Sequence, residues 1–166
     1  MIKRIPVLLL LILCLSVPSC SVNEPSPTDI LFETLSVLAD HPSGDVFFSG
    51  AEEYSGNYAE EEKLTSLYAG VSPKGLYSSY ALFLCRDDRV YEIHIYKAAS
   101  EAEGLRLQKL MDRRKDMLQS GDIYLYDEEN YEDVICAAKT LRRGVYVILL
   151  LTDDNTKAEK TILGMI

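Results

Sequence analysis

Two apolar rhythms alternate along this chain, one with helical spacing and one with a period of two. Ile30, Leu31, Leu35 and Leu38 recur at helical intervals behind Ser26-Pro27-Thr28-Asp29. That pattern predicts a helix entered through a capping residue, with proline tolerated in its first turn. Pro42 and Gly44 end the segment. Residues 43–58 are rich in Gly, Ser and Asn and read as a loop, with Phe47 and Phe48 as a packing plug. Ala59 to Tyr68 fits a second, short helix with Leu64, Leu67 and Tyr68 on one face and Gly70 just past its end.

Tyr80 to Leu84 is a dense apolar run with strand character, and Arg86-Asp87-Asp88-Arg89 is turn-like. From Val90 to Lys97 the residues alternate: Tyr91, Ile93 and Ile95 point one way, Glu92 and His94 the other. This predicts a hairpin with one wet face. Ser100-Glu101-Ala102-Glu103 spells a capping box before a helix carrying Leu107, Leu110, Met111, Met117 and Leu118 and closed by Ser120-Gly121. Residues 122–127 are Tyr-rich, and Glu128 to Cys136 fits a short helix. Ala138 to Leu141 and Val145 to Leu151 flank Arg142-Arg143-Gly144 as a second hairpin, its glycine supplying positive φ. The run Val145 to Leu151 is apolar on both faces, as a strand covered on both sides requires. Asp153-Asp154-Asn155 caps a last helix with Ala158, Ile162 and Leu163. The expectation is an α+β domain: a mainly antiparallel sheet of about four strands, in two hairpins, with helices packed against it.

The N-terminus has a different pattern. Lys3 and Arg4 precede an apolar run from Ile5 to Val17, and Pro18-Ser19-Cys20 follow. The run is about thirteen residues where a spanning helix needs roughly twenty, so it reads as an export signal. The end resembles a lipobox, in which a cysteine receives diacylglycerol on its sulfur. The plainer alternative is an ordinary secreted chain with a stray cysteine. The organisation read here is a signal peptide at 1–19, a lipid-anchored tether at 20–27 and one domain at 28–166. The expected location is the cell membrane, facing outside the cytoplasm, with the membrane held through lipid on Cys20.

The formal charge of −9 becomes −11 once Lys3 and Arg4 leave with the signal. That excludes nucleic acid as an expected partner, because phosphate binding relies on Lys and Arg. It also opposes a broad electrostatic grip on anionic lipid. Cys14 lies in the leader and Cys20 is the anchor, leaving Cys85 and Cys136. Buried free thiols are the reading for that pair, and an extracytoplasmic disulfide is the alternative. No CxxC or Cys/His spacing suggests a metal, and no cofactor motif occurs.

The order of segments resembles the small bacterial lipoproteins that carry the domain of unknown function numbered 4358. The residues that carry the likeness are Leu67-Tyr68-Ala69-Gly70, Glu92-Ile93-His94-Ile95-Tyr96-Lys97-Ala98, Arg113-Arg114, Glu128 to Glu132, Gly144-Val145-Tyr146-Val147 and Thr152-Asp153-Asp154. They span most of residues 28–162. Ala69 departs from a Leu-Tyr-Gly pattern, and residues 45–57 match nothing in it. The resemblance implies an anchored location and a domain shape but no catalytic residues.

Glu92 and His94 share a strand face and are chemically able to ligate zinc or exchange a proton. A third ligand is missing near them, so an exposed polar face is the plainer account. Arg113-Arg114-Lys115 and Arg142-Arg143 read as solvated basic spots. Several of the eleven tyrosines fall in or near loops, and tyrosine suits interfaces. Tyr54, Tyr58, Glu92 and His94 therefore form the candidate interaction surface. The reading is a non-catalytic binding or interaction domain with an envelope protein as possible partner. A small-ligand carrier and an envelope hydrolase are the alternatives.

Overall fold

A computed structural model describes residues 24–38, 40–51, 55–86, 90–120 and 128–166, with 128–131 described by their backbone alone. The expected leader 1–19, Cys20, Tyr54, Asp87 to Arg89, Gly121 and the stretch 122–127 lie outside the described residues.

Helix α1 (Pro27–Val37) opens with a full capping box: Ser26 Oγ accepts the Asp29 N–H at 3.1 Å, and Asp29 reaches back to the Ser26 N–H at 3.4 Å. Then follow β1 (Gly44–Phe48), α2 (Glu61–Leu67), β2 (Tyr77–Cys85), β3 (Glu92–Ala98) and α3 (Glu101–Gln119). The chain continues through α4 (Glu128–Cys136), β4 (Lys139–Arg143), β5 (Tyr146–Leu151) and α5 (Asn155–Met165).

The strands form one antiparallel sheet in the order β1-β2-β3-β5-β4. The hairpins β2–β3 and β4–β5 share it, because β3 pairs with β5 and sets Ile95 opposite Ile148. The fifth strand is β1, formed where a loop was expected. Phe47 faces one side of the sheet, and Val46 and Phe48 face the other. Gly44 is required by close approach: a Cβ there would run into the Phe83 ring and come within 2.7 Å of the Leu84 carbonyl oxygen. In the β4–β5 turn Gly144 takes φ 56° while Val145 does not turn positive, the pattern of a type II′ loop.

Both faces of the sheet are covered. Leu82, Tyr96, Val147, Leu149 and Leu151 pack beneath α2, α3 and α4, while Phe83, Ile93, Ile95, Ile148 and Leu150 pack beneath α1 and α5. All six residues of β5 are buried, as its two-sided apolar run predicts. The wet face expected for β3 is absent, since every residue of that strand but Lys97 is buried.

The segment expected as tether is partly folded. Glu24 pairs with Lys97 at 2.7 Å, the Tyr146 hydroxyl donates to the Pro25 carbonyl at 2.8 Å, and Pro27 is already buried in α1. Cys85 and Cys136 are free thiols; Cys85 is half-buried and Cys136 is exposed rather than buried. Among the described residues no helix is long and apolar enough to cross a membrane.

Candidate functional site

Glu92 and His94 do not lie on the surface: they are 3% and 0% exposed. The two residues do share a face of β3, but α3 lies over that face and brings a partner. Arg114 is buried on the same helical stripe as Leu107, Leu110, Met111 and Leu118. It is therefore not a solvated basic spot. Its Nε donates to Glu92 Oε2 at 3.2 Å and its Nη2 donates to Oε1, a two-pronged bond that suits a buried carboxylate.

His94 Nε2 stands 3.0 Å from Glu92 Oε2, close enough to feel the charge but off the line of a formed hydrogen bond. On the other side of the ring, Nδ1 is 2.8 Å from the Tyr68 hydroxyl, which lies 3.1 Å from that of Tyr96. Tyr68 is placed by the end of α2, where Ala69 and Gly70 both take positive φ, 55° and 78°. A polar chain thus runs Tyr96–Tyr68–His94–Glu92–Arg114 through the core. Tyr68 has one proton, so it donates either to Nδ1 or to Tyr96, and the imidazole tautomer decides which.

Burial raises the Glu92 carboxyl, but the Arg114 charge and the His94 and Arg114 contacts outweigh it and hold the group well below its ordinary range. Burial pushes the Tyr68 and Tyr96 phenols far up, so both stay protonated. The chain has proton-bearing groups and no surface for a substrate to touch. Its chemistry is that of an internal network, hydrogen-bonded at every link but the one between His94 Nε2 and Glu92, where the two atoms are held by proximity alone.

The tyrosines continue this network toward solvent. Tyr96 stacks against Tyr77 and Tyr80 at centroid distances of 5.4 and 5.8 Å, and Tyr77 meets Tyr80 edge-on at 5.2 Å. Tyr77 and Tyr80 in turn form the wall of a cleft of about 210 Å³, together with Tyr58, Ser49, Glu61 and Lys74. Tyr58 is exposed at its edge. Lys74 bridges to Glu61 at 2.7 Å, and Ser72 donates to the same carboxylate at 3.1 Å. These two bonds hold the Glu61 carboxyl below its ordinary value.

Tyr80 is the notable group. Its residue is 3% exposed, and among the described residues no group accepts the proton of its hydroxyl. Burial raises its pKa, and the Ala59 backbone N–H beside it offsets part of that. The hydroxyl therefore remains a protonated donor. Of the four residues expected to form one interaction surface, Tyr58 lies at this cleft, Glu92 and His94 lie inside the core, and Tyr54 is outside the described residues. In the sequence Tyr80 belongs to an apolar strand run and Tyr77 is one of several tyrosines in or near loops; the structure joins them at one cleft.

No family model, no curated protein and no solved structure matches this chain. Among the described residues no group of three His, Cys, Asp or Glu side chains is placed to hold a metal ion.

Proposed function

We propose that this chain is a membrane-anchored, extracytoplasmic binding domain. In this reading lipid on Cys20 holds it to the membrane, and the tyrosine cleft takes a group from an envelope partner. The likeness in segment order to the domain of unknown function 4358 supports the anchored location. The observation that carries the binding role is the Tyr80 hydroxyl, buried at the cleft wall with no acceptor for its proton among the described residues. A buried polar group left unpaired costs about 1–3 kcal/mol, so a chain under no demand for it is better served by phenylalanine. A ligand that accepts a hydrogen bond from Tyr80 and lies against Tyr58 and Tyr77 would meet that demand.

Tyr80→Phe separates this role from a structural one. It is expected to leave the melting temperature unchanged or raised while reducing capture of the partner at least tenfold; Tyr58→Ala is expected to reduce capture with little change in stability. A Tyr80→Phe protein that melts clearly lower and captures normally would assign the hydroxyl to the fold instead. The volume of the cleft, about 210 Å³, also supports a second reading, a small-ligand carrier. A ligand-dependent rise in melting temperature that Tyr80→Phe abolishes would favour the carrier. The hydrolase alternative loses its residues, because Glu92 is locked to Arg114 and His94 is sealed in the core.

A further inference from the structure

The first described residues fix which end of the domain is nearest the proposed anchor. Glu24 pairs with Lys97 at 2.7 Å and the Pro25 carbonyl accepts from Tyr146 at 2.8 Å. Lys97 and Tyr146 sit opposite each other at one end of the sheet. Ser26 caps α1 at the same place. Arg143 pairs with Tyr146, and Tyr77 pairs with Ala98, so the β4–β5 turn and the start of β2 belong to this end. The Arg143 guanidinium reaches the Leu163 carbonyl at 2.9 Å, which brings the last turn of α5 here as well. At the other end stand Glu92, Leu151 and the acidic pair Asp153 and Asp154, which line a shallow pocket with Asp40.

Only four residues of chain lead from Cys20 to Glu24. At an extension of at most about 3.6 Å per residue they reach roughly 14 Å. The headgroup layer on one side of a bilayer is itself about 5–7 Å deep. By contrast β3, with seven residues, is about 23 Å long, and α3, with nineteen, about 28 Å. The pinned end is therefore held within a side chain or two of the headgroups, while the far end is carried away.

We propose that this end of the sheet is a membrane-docking face, in which the exposed Arg142 and Arg143 at the end of β4, one on the α3 side of the sheet and the other on the α5 side, bind headgroup phosphates of the bilayer that holds the anchor. The proposal rests on the reading of Cys20 as lipidated. Among the described residues each guanidinium makes one backbone bond, Arg142 to the Gly144 carbonyl at 3.1 Å and Arg143 to that of Leu163 at 2.9 Å, and these leave further N–H donors in the planar fork that suits phosphate. Lys97 is already bound to Glu24 and Arg106 lies 3.4 Å from Glu103, while Asp29 and Glu101 also stand at this end, so Arg142 and Arg143 act as local phosphate ligands and not through a net positive field. A chain of net charge −11 after leader removal has no broad affinity for anionic lipid; the anchor supplies proximity, and two arginines then suffice to orient the domain. Tyr77 and the cleft beside it lie toward this end, so the cleft opens near the membrane surface.

The chain contains no tryptophan, so single substitutions give a unique fluorophore. Exposed Ala99→Trp and Ala102→Trp report on the docked end, and exposed Asp153→Trp reports on the far end. Lipidated full-length protein would be purified from membranes and reconstituted in vesicles of phosphatidylethanolamine and phosphatidylglycerol, 10% of the lipid carrying a headgroup nitroxide. Ala99→Trp and Ala102→Trp should lose at least half their emission, and Asp153→Trp almost none. Adding Arg142→Gln and Arg143→Gln should cut the quenching at least twofold with the vesicle-bound fraction unchanged. Equal quenching at both ends, or quenching indifferent to the arginines, would overturn the docking face. Mass spectrometry of the N-terminal peptide reads the anchor separately: an unacylated Cys20 would overturn the anchored reading and the orientation with it, whereas acylation with equal quenching would overturn the orientation alone.

Discussion

Arg114 and Glu92 are each buried and each paired, and removing one strands the other. Arg114→Met is expected to cost about 3–5 kcal/mol in urea unfolding, because Glu92 would keep its charge without a partner. Glu92→Leu combined with Arg114→Met should recover most of that loss, since an apolar pair of similar volume needs no desolvated charge. An additive double variant would show that the pair is not coupled. The same carboxylate sets an acid response. Its folded pKa lies below the ordinary 4.5, so the unfolded chain takes up the proton first as pH falls. The contribution to stability is complete above about pH 4.5 and fades as pH drops toward the folded value. Melting temperature should therefore fall with acid in the wild type more steeply than in Glu92→Gln, and parallel profiles would remove Glu92 from the account. This pairing was partly legible in the sequence. Arg114 occupies the apolar stripe of α3, three residues past Met111 and four before Leu118, and a charge on such a stripe calls for a buried partner. The partner, Glu92, lies 22 residues away, a separation that periodicity does not bridge. Tyr80 was less legible still, because an unmet hydroxyl is a property of three dimensions.

At the scale of elements, the strong rhythms carried through. The helix caps at Ser26, Ser100 and Asp154 each form the bond to a backbone N–H that their position predicts. At Ser100 the serine half of the expected capping box forms, while the Glu103 side chain accepts from Arg106. The all-apolar β5 sits inside the sheet with helices on both sides. Strand β1 escaped because its five residues begin with Gly44-Asp45 and only three are apolar. Its strand state comes from pairing with β2 rather than from local preference. Gly44 is the residue on which that pairing turns, since the Phe83 ring fills the space of a Cβ. Gly44→Ala should cost about 1–3 kcal/mol through overpacking. The amides of β1 should then exchange faster than those of β3 in hydrogen-exchange measurements. Unchanged stability would mean that Phe83 yields without loss. The wet face predicted for β3 failed for a related reason: polar residues mark a solvated face only when no helix arrives with a countercharge.

For the whole molecule, the sheet is a partition. One side is an apolar layer under α1 and α5 that includes Phe83, Tyr91 and Tyr146, and the other holds the ionic chain and the tyrosines that lead from Arg114 out to the cleft. The buried network holds Tyr68 and Tyr96, and Tyr77 and Tyr80 of the cleft wall pack against Tyr96. The central claim is that this cleft binds. The direct test places a photo-reactive benzoylphenylalanine at position 58 in living cells, with position 105 on α3 as the exposed control, and reads adducts by gel and by intact mass. The account predicts one discrete adduct from position 58, abolished by Tyr80→Phe, and none of that kind from position 105. No adduct from position 58, or the same species from both positions, would contradict it.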